Sequence, residues 1–490
     1  MTSHPLNTLP RAAPPRRVRL RGRLVALLGV LAAGPVAAQP APPSVSPSGV
    51  EASRVEASAV PPAAFGSSDD LYEFEGERRD RAPAVQAAVF GGAAYLPDTW
   101  RGAVRGEVAV ARGLLSAAVA ATLHPAAGGL YGPEADEAYD ALRAVEYVRL
   151  DRAPGQPLYA RLGPTERVTL GVGALARGYR TTTAWDERAL GAEAALDVGR
   201  VSVAAFADDL RLGGVVGGEI GVRTGRSVGP LGAVRLTLGA VHDLGLPSRG
   251  ASALTGVEAT LRGSLGGAGL GRADAPFGVV PFVTAARYLG KGSALGVGAD
   301  AEAFRASTAL RASARIALFV STSRFVPGHL NPFYALSNAD ERIVSGEAPG
   351  DGAGAPLAGT PLDSLGRGVD LVLDVRVVAF GRFEVAQHVR RHVGPDRASA
   401  YGLRLAARLP RRARAELAVE RQGFRGLLGF LGSLGQENAL VLDVTAPVGR
   451  GGQLFVRSRY GYRRLSGDGP GRFLAERRFE PLVGIRVGLR

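Results

Sequence analysis

An alternation of apolar and polar side chains with a period of two runs through most of this chain and limits what it can become. Over residues 165–174, Val168, Leu170, Val172 and Ala174 alternate with Arg167, Thr169, Gly171 and Gly173. Leu190, Ala192, Ala194 and Leu196 alternate with Glu193 and Asp197; Val234, Leu236 and Leu238 with Arg235 and Thr237; Val257, Ala259 and Leu261 with Glu258, Thr260 and Arg262. Val297, Ala299, Ala301 and Ala303 alternate with Asp300 and Glu302, and the run from Leu310 to Val320 with Arg311, Ser313 and Arg315. Further on, Leu371, Leu373, Val375 and Val377 oppose Asp370, Asp374 and Arg376, while Tyr401, Leu403, Leu405 and Ala407 oppose Arg404 and Arg408. Ala415, Leu417 and Val419 oppose Arg414, Glu416 and Glu420, and the chain closes on Val483, Ile485, Val487 and Leu489 against Arg486 and Arg490. Successive strand side chains point to opposite faces, so each segment has one apolar and one charged face.

Two architectures satisfy such faces. A soluble sandwich buries one and solvates the other; a transmembrane barrel turns the apolar face to lipid and the polar face to a lumen. Three observations favour the barrel. The segments run about 9 to 13 residues, which suits a tilted membrane strand and exceeds the 5 or 6 usual in globular sheets. About 18 to 20 of them follow in succession, with 16 also compatible, far more than a single sandwich uses. Connections also alternate in length. Traced back from the C-terminus, 463–474 is long, 447–451 short, 422–437 long, 410–412 short, 392–396 intermediate, 380–381 minimal, 324–367 very long and 304–306 minimal. Bacterial barrels have short periplasmic turns and long outer loops, with both termini inside. Residues 264–276 are the exception, too long for an inner turn. The expected fold is all-β: a transmembrane antiparallel barrel over residues 83–490 with a long loop at 324–367.

The N-terminus adds an address. Arg11, Arg16, Arg17, Arg19, Arg21 and Arg23 precede an apolar run at 24–33, and small residues lead to Ala38. This pattern predicts an export signal over residues 1–38, cleaved after Ala38; the run is too short for a membrane span, and Pro35 breaks it. Residues 39–82 read as a flexible linker, with Pro, Ser and Ala prominent. Removing six Arg and no acid takes the formal charge from +14 to +8. A basic chain invites a nucleic-acid reading, but many remaining Arg share strand faces with acids and Lys291 is the only lysine, so no nucleic-acid partner is expected. With no Cys, disulfides, thiol catalysis and Cys-ligated zinc are excluded. Residues 134–143 pattern as a short helix, and 423–435 as a helix or a glycine-rich loop.

Residues 148–163, followed by Val168, Thr169, Leu170, Gly171, Val172 and Gly173, are similar to a stretch in large bacterial outer-membrane β-barrel proteins of uncharacterised function. The resemblance covers most of the chain after about residue 104 and is one of pattern. It implies an outer-membrane location, with outer-membrane lipid and the barrel-assembly machinery as partners. It brings no catalytic residues and leaves the oligomeric state open.

Motifs for chemistry are scarce. Gly225, Ser227 and Gly229 spell a nucleophile elbow but fall in an expected hairpin rather than a strand–turn–helix. His388 and His392 would sit about 13 Å apart on a strand, too far to share a metal. Residues 266–271 are glycine-rich but lack the Lys–Ser/Thr ending of a phosphate loop. No catalytic, metal or cofactor site is therefore expected, and the chain is read as a non-enzyme. Candidate lumen-facing residues are Arg167, Glu193, Asp197, Arg235, Glu258, Arg262, Asp300, Glu302, Arg311, Arg315, Asp374, Arg376, Arg404 and Arg408. Their signs nearly balance, giving no ion preference. Phe383, Tyr401, Tyr460, Tyr462 and Phe479 are candidate anchors at the membrane interface. The function expected is a porin-like channel or transporter for small solutes, with residues 325–334 at the mouth or folded inward. The alternative is a structural or adhesive surface protein whose long loops bind an external partner.

Overall fold

The computed structural model describes residues 84–489, apart from the stretches 97–98, 127–128, 132–139, 151–157, 184–188, 212–213, 229–230, 245–253, 266–276, 306–309, 335–341, 345–365, 381, 394–398, 409–412, 425–437, 450–451 and 466–471. The expected export signal, the linker, the 266–271 turn and most of 423–435 lie outside the described residues.

Twenty strands wind in chain order into one antiparallel ring. They are β1 (Ala84–Leu96), β2 (Thr99–Arg112), β3 (Leu115–Leu123), β4 (Val145–Leu150), β5 (Leu158–Gly163), β6 (Gly191–Val198) and β7 (Val201–Ala207). Next come β8 (Val215–Val228), β9 (Leu231–Asp243), β10 (Leu254–Leu265), β11 (Phe277–Tyr288), β12 (Ser293–Arg305) and β13 (Leu310–Ser321). The ring ends with β14 (Gly368–Ala379), β15 (Phe383–Val393), β16 (Ser399–Arg408), β17 (Arg414–Phe424), β18 (Asn438–Val448), β19 (Gly452–Leu465) and β20 (Arg472–Leu489). Each strand pairs with the next, and β20 returns to pair antiparallel with β1, placing Val89 opposite Ile485 and Val85 opposite Leu489. Arg342–Val344 adds a short parallel ladder on Arg472–Leu474.

The alternation read from sequence becomes the two faces of the ring. Pairing keeps outward residues beside outward residues, and these are apolar and exposed: Val89 is 57% accessible, Ile485 61%, Leu295 69% and Val320 58%. Inward residues on the same strands include the buried Glu193, Arg262, Asp300 and Arg404. No helix among the described residues is long and apolar enough to cross a membrane. The connections also divide by end. On the side of the termini, successive strand ends are separated by short spans such as 113–114 and 199–200, and in two cases by longer ones, β4 from β5 by seven residues and β10 from β11 by eleven. On the other side the strand ends are farther apart in sequence, Leu123 from Val145, Gly163 from Gly191, Ser321 from Gly368 and Phe424 from Asn438.

Three sequence expectations change. Residues 165–174 form no barrel strand and instead lie in the connection between β5 and β6. The helix at 134–143 is described only as one turn, Asp140–Arg143. The connection at 463–474 shrinks to 466–471, because β19 and β20 continue their pairing through Leu465 and Arg472.

Val89 and Ile485 face outward at the seam that closes the ring. Replacing Val89 with Arg is expected to cost about 2–4 kcal/mol, as a charge on the lipid face does at mid-membrane. Denaturant titration of the protein folded into bilayers measures this; an unchanged midpoint would mean that this face is not in hydrocarbon.

Candidate functional site: a lumen crossed by infolded segments

The interior of the ring is not lined by strand side chains alone. Residues 164–183 leave the end of β5 and turn inward, where Val168, Leu170, Val172, Ala174, Leu175 and Ala176 are completely buried. Here the alternating apolar side chains build a core inside the lumen. The chain reverses because Gly171 and Gly173 adopt φ of 56° and 82°, a left-handed conformation open to glycine, and Gly173 N–H donates to the Leu170 carbonyl at 2.7 Å. Residues 322–334 enter beside it. Gly328 N–H donates to Ala174 O at 2.9 Å, Arg177 N–H to Leu330 O at 2.9 Å and Leu330 N–H to Leu175 O at 3.2 Å. Residues 325–334 are thus folded inward, with Phe325, Leu330 and Tyr334 in the same core.

Strand side chains hold both segments. From β8, Glu219 accepts Gly171 N–H at 2.6 Å; from β10, Glu258 accepts Val172 N–H at 2.9 Å. Arg262 donates to the Gly171 carbonyl at 2.7 Å, Tyr288 to Leu175 O at 3.1 Å and Arg390 to Pro327 O at 2.8 Å. Arg177 pairs with Asp374 at 3.0 Å. Two tyrosines fasten the ends: Tyr179 donates to Asp208, and Tyr334 to Asp243 at 2.6 Å. Burial, then the adjacent carboxylate, pushes both phenols above their ordinary range, so they stay donors. Each backbone polar group taken into this core is costly unless matched, and the inward carboxylates and guanidinia supply matches.

A third inward piece sits elsewhere on the ring. His124 is buried within 3.9 Å of Glu480, and Tyr131 packs on an apolar patch of Phe90, Leu96, Phe455 and Leu482. Around it runs a wall of ion pairs: Arg105–Glu107 at 2.8 Å, Arg486–Glu107 at 2.9 Å, Arg457–Asp443 at 2.8 Å, Arg478–Glu476 at 2.8 Å and Arg404–Glu416 at 2.8 Å. Toward the termini the inward Glu302, Arg311 and Arg376 are exposed to solvent. Level with the infolded segments, Glu258, Thr260 and Asp370 are buried.

Thirteen of the fourteen candidate lumen residues lie on the inward phase of barrel strands. Asp300 gathers Arg315 at 2.5 Å and Arg262 at 4.0 Å. Arg235 reaches Glu219 at 4.0 Å, Glu193 reaches Arg161 at 3.7 Å and Arg376 reaches Glu384 at 3.1 Å. Asp197, Glu302, Arg311 and Arg408 share the phase. Arg167 is the exception, because it belongs to the infolded segment, at φ 81°. Of the interface aromatics, Phe383 and Phe479 face outward and are exposed, and Tyr401 and Tyr460 are partly so. Tyr462 is fully buried instead; its hydroxyl accepts Asn438 N–H at 3.1 Å and donates to Asn438 O at 3.0 Å. Trp100, exposed and edge-on to Phe479 at 6.4 Å and Tyr95 at 5.6 Å, completes an aromatic cluster at the loop end that period-two reading passed over. Asp443 and Arg457 were also passed over, although Leu442 and Val444 flank Asp443 with the same alternation. His388 and His392 have separate partners, Glu420 and Asp370, and among the described residues no group of side chains could hold a metal.

A closed ring with an apolar exterior around its girth and a charged interior has one environment open to it. The protein is a transmembrane β-barrel of the outer-membrane type. No family model and no curated protein sequence matches the chain. Among solved structures it is similar to Pseudomonas aeruginosa OpdL, at 12% identity over 84% of this chain and 99% of that one with a TM-score of 0.30. It is also similar to Acinetobacter baumannii OccAB2, at 10% identity over 85% and 100% with a TM-score of 0.30. A third is Wzi, a carbohydrate-binding outer-membrane β-barrel involved in group 1 capsule assembly in Escherichia coli, at 9% identity over 82% and 84% with a TM-score of 0.34.

His329, edge-on to both Tyr288 and Tyr334, supplies a pH test of the infolded core. Burial, with the charge of Arg390 adding, pushes its imidazole down to about 3. Between about 3 and its ordinary value near 6.5 the unfolded state binds more protons than the folded one, so stability is lost as pH falls through that window. Denaturant midpoints measured from pH 7.5 to 4 should fall with acid, and fall less in His329→Gln. An identical acid response in the variant would remove His329 from the account.

Proposed function

We propose that the protein is a porin-like channel or transporter for small solutes in the bacterial outer membrane. It is exported by its N-terminal signal, with its long loops outside and its termini in the periplasm. The observation that carries this reading is the form of the interior. Charged side chains of both signs line a solvent-exposed lumen on the terminal side, and the loop side is narrowed by segments held through discrete hydrogen bonds. A hydrated, charged wall suits passage of polar solutes, and mixed signs favour no single ion. The infolded segments act as the constriction. Their contacts with Glu219, Glu258, Arg262 and Arg390 can each be broken without dismantling the ring.

Planar-bilayer recording tests the proposal. Wild-type protein is expected to give small conductance steps. Glu258→Ala leaves Val172 N–H unmatched at a cost of about 1–3 kcal/mol, which corresponds to roughly a 5- to 150-fold rise in the population of the wider state. Silence of both proteins, with the barrel folded, would sink the channel reading. The wholly buried apolar core of the infolded segments favours the second reading in that case: a permanently plugged barrel that displays its loops to an external partner.

A further inference from the structure

The outward face changes character at one rim. On β11 the outward side chains are Phe277, Val279, Pro281, Val283 and Ala285, and the next is Arg287. On β17 Ala415, Leu417 and Val419 lead to Arg421, and on β20 Val487, Ile485, Val483, Pro481 and Phe479 lead to Arg477. On β15 Phe383, Val385 and Val389, interrupted by Gln387, lead to Arg391, with Val393 alone beyond it. In each strand the arginine stands at or next to the loop end of the apolar band, and Arg287, Arg391 and Arg477 are exposed. Tyrosines accompany them. Tyr401 lies directly opposite Arg421 in the register, and Arg477 sits over the Tyr460 ring at 6.0 Å. Val389 is opposite Tyr401, which places Arg391 one outward position further along. The acids of these strands, Glu384, Glu416, Glu420, Glu476 and Glu480, all lie on the inward phase.

We infer that the outward rim formed by Arg391, Arg421 and Arg477 with Tyr401 and Tyr460 binds phosphate groups of anionic lipid headgroups in the leaflet on the loop side. This rests on the membrane reading of the barrel. An arginine facing hydrocarbon is costly, and the cost falls away at headgroup level. A guanidinium also meets phosphate with paired donors in matching geometry. Aromatic rings at the same level are the usual interfacial anchors. Four strands carry an arginine at or near the loop end of their apolar outward run, and among the described residues of these strands every acid is turned inward.

The test uses the whole barrel in phosphatidylcholine nanodiscs with or without diphosphoryl lipid A, reading lipid retained after re-extraction into detergent and the unfolding midpoint. Wild type is expected to retain the phosphorylated lipid and to unfold at higher denaturant in its presence. Combined Arg391→Gln, Arg421→Gln and Arg477→Gln should weaken retention about tenfold or more, whereas Arg112→Gln with Arg200→Gln, at the opposite end, should not. Equal retention by the triple variant, or an equal response to fully dephosphorylated lipid A, overturns the inference. Heat-dependent gel mobility of the same samples reports separately on whether a membrane barrel has formed.

Discussion

The pairing of β1 with β20 is the interaction on which the rest of this structure depends. Hydrocarbon offers no water to satisfy an unpaired N–H or C=O, and each such group costs several kcal/mol there. An open sheet of twenty strands would expose two such edges. Joining Val85 to Leu489 and Val89 to Ile485 removes both, with the apolar side chains of the seam still turned outward. Closure also creates an inside. Once the ring exists, the inward phase of every strand faces a shared volume, and its charges must find one another or water.

That volume is used in two ways. Part of it holds a core that would look ordinary in a soluble protein, built from Val168, Leu170, Val172, Leu175, Phe325 and Leu330 packed on Phe282, Tyr288 and Phe319 of the wall. The rest holds ion pairs such as Arg457–Asp443 and Arg404–Glu416. The two regions meet at residues like Glu258 and Arg262, which belong to the charged wall and yet bind the backbone of the infolded segment. Removing one partner of a buried polar contact costs more than the contact itself contributes. The infolded segments are therefore tied to the wall by polar contacts whose loss would leave a buried group unmatched, as well as by the shared apolar core.

Much of this was legible from side-chain order. The strands of the second half, their apolar and charged phases, and the division between short turns and long loops all follow from period two and glycine-rich breaks. Legibility failed where the same pattern serves a different environment. Residues 165–174 alternate as a barrel strand does, but Gly171 and Gly173 turn the chain back on itself, so its apolar residues meet protein instead of lipid, and Arg167 leaves the wall. Tyr462 sits on an outward phase at a strand end, as an interfacial tyrosine would, but hydrogen bonds to Asn438 and the approach of Thr183 bury it.

The sequence by itself determined that this chain makes antiparallel strands with one apolar and one charged face, because side-chain direction along a strand is a local property of two-residue period. Only the tertiary structure decided that there are twenty of them, that β20 meets β1, and which apolar residues face outward and which fill the lumen. Those outcomes depend on what lies opposite a side chain, and here the opposite partner is supplied by residues as distant in sequence as Ala174 and Gly328 or Val89 and Ile485.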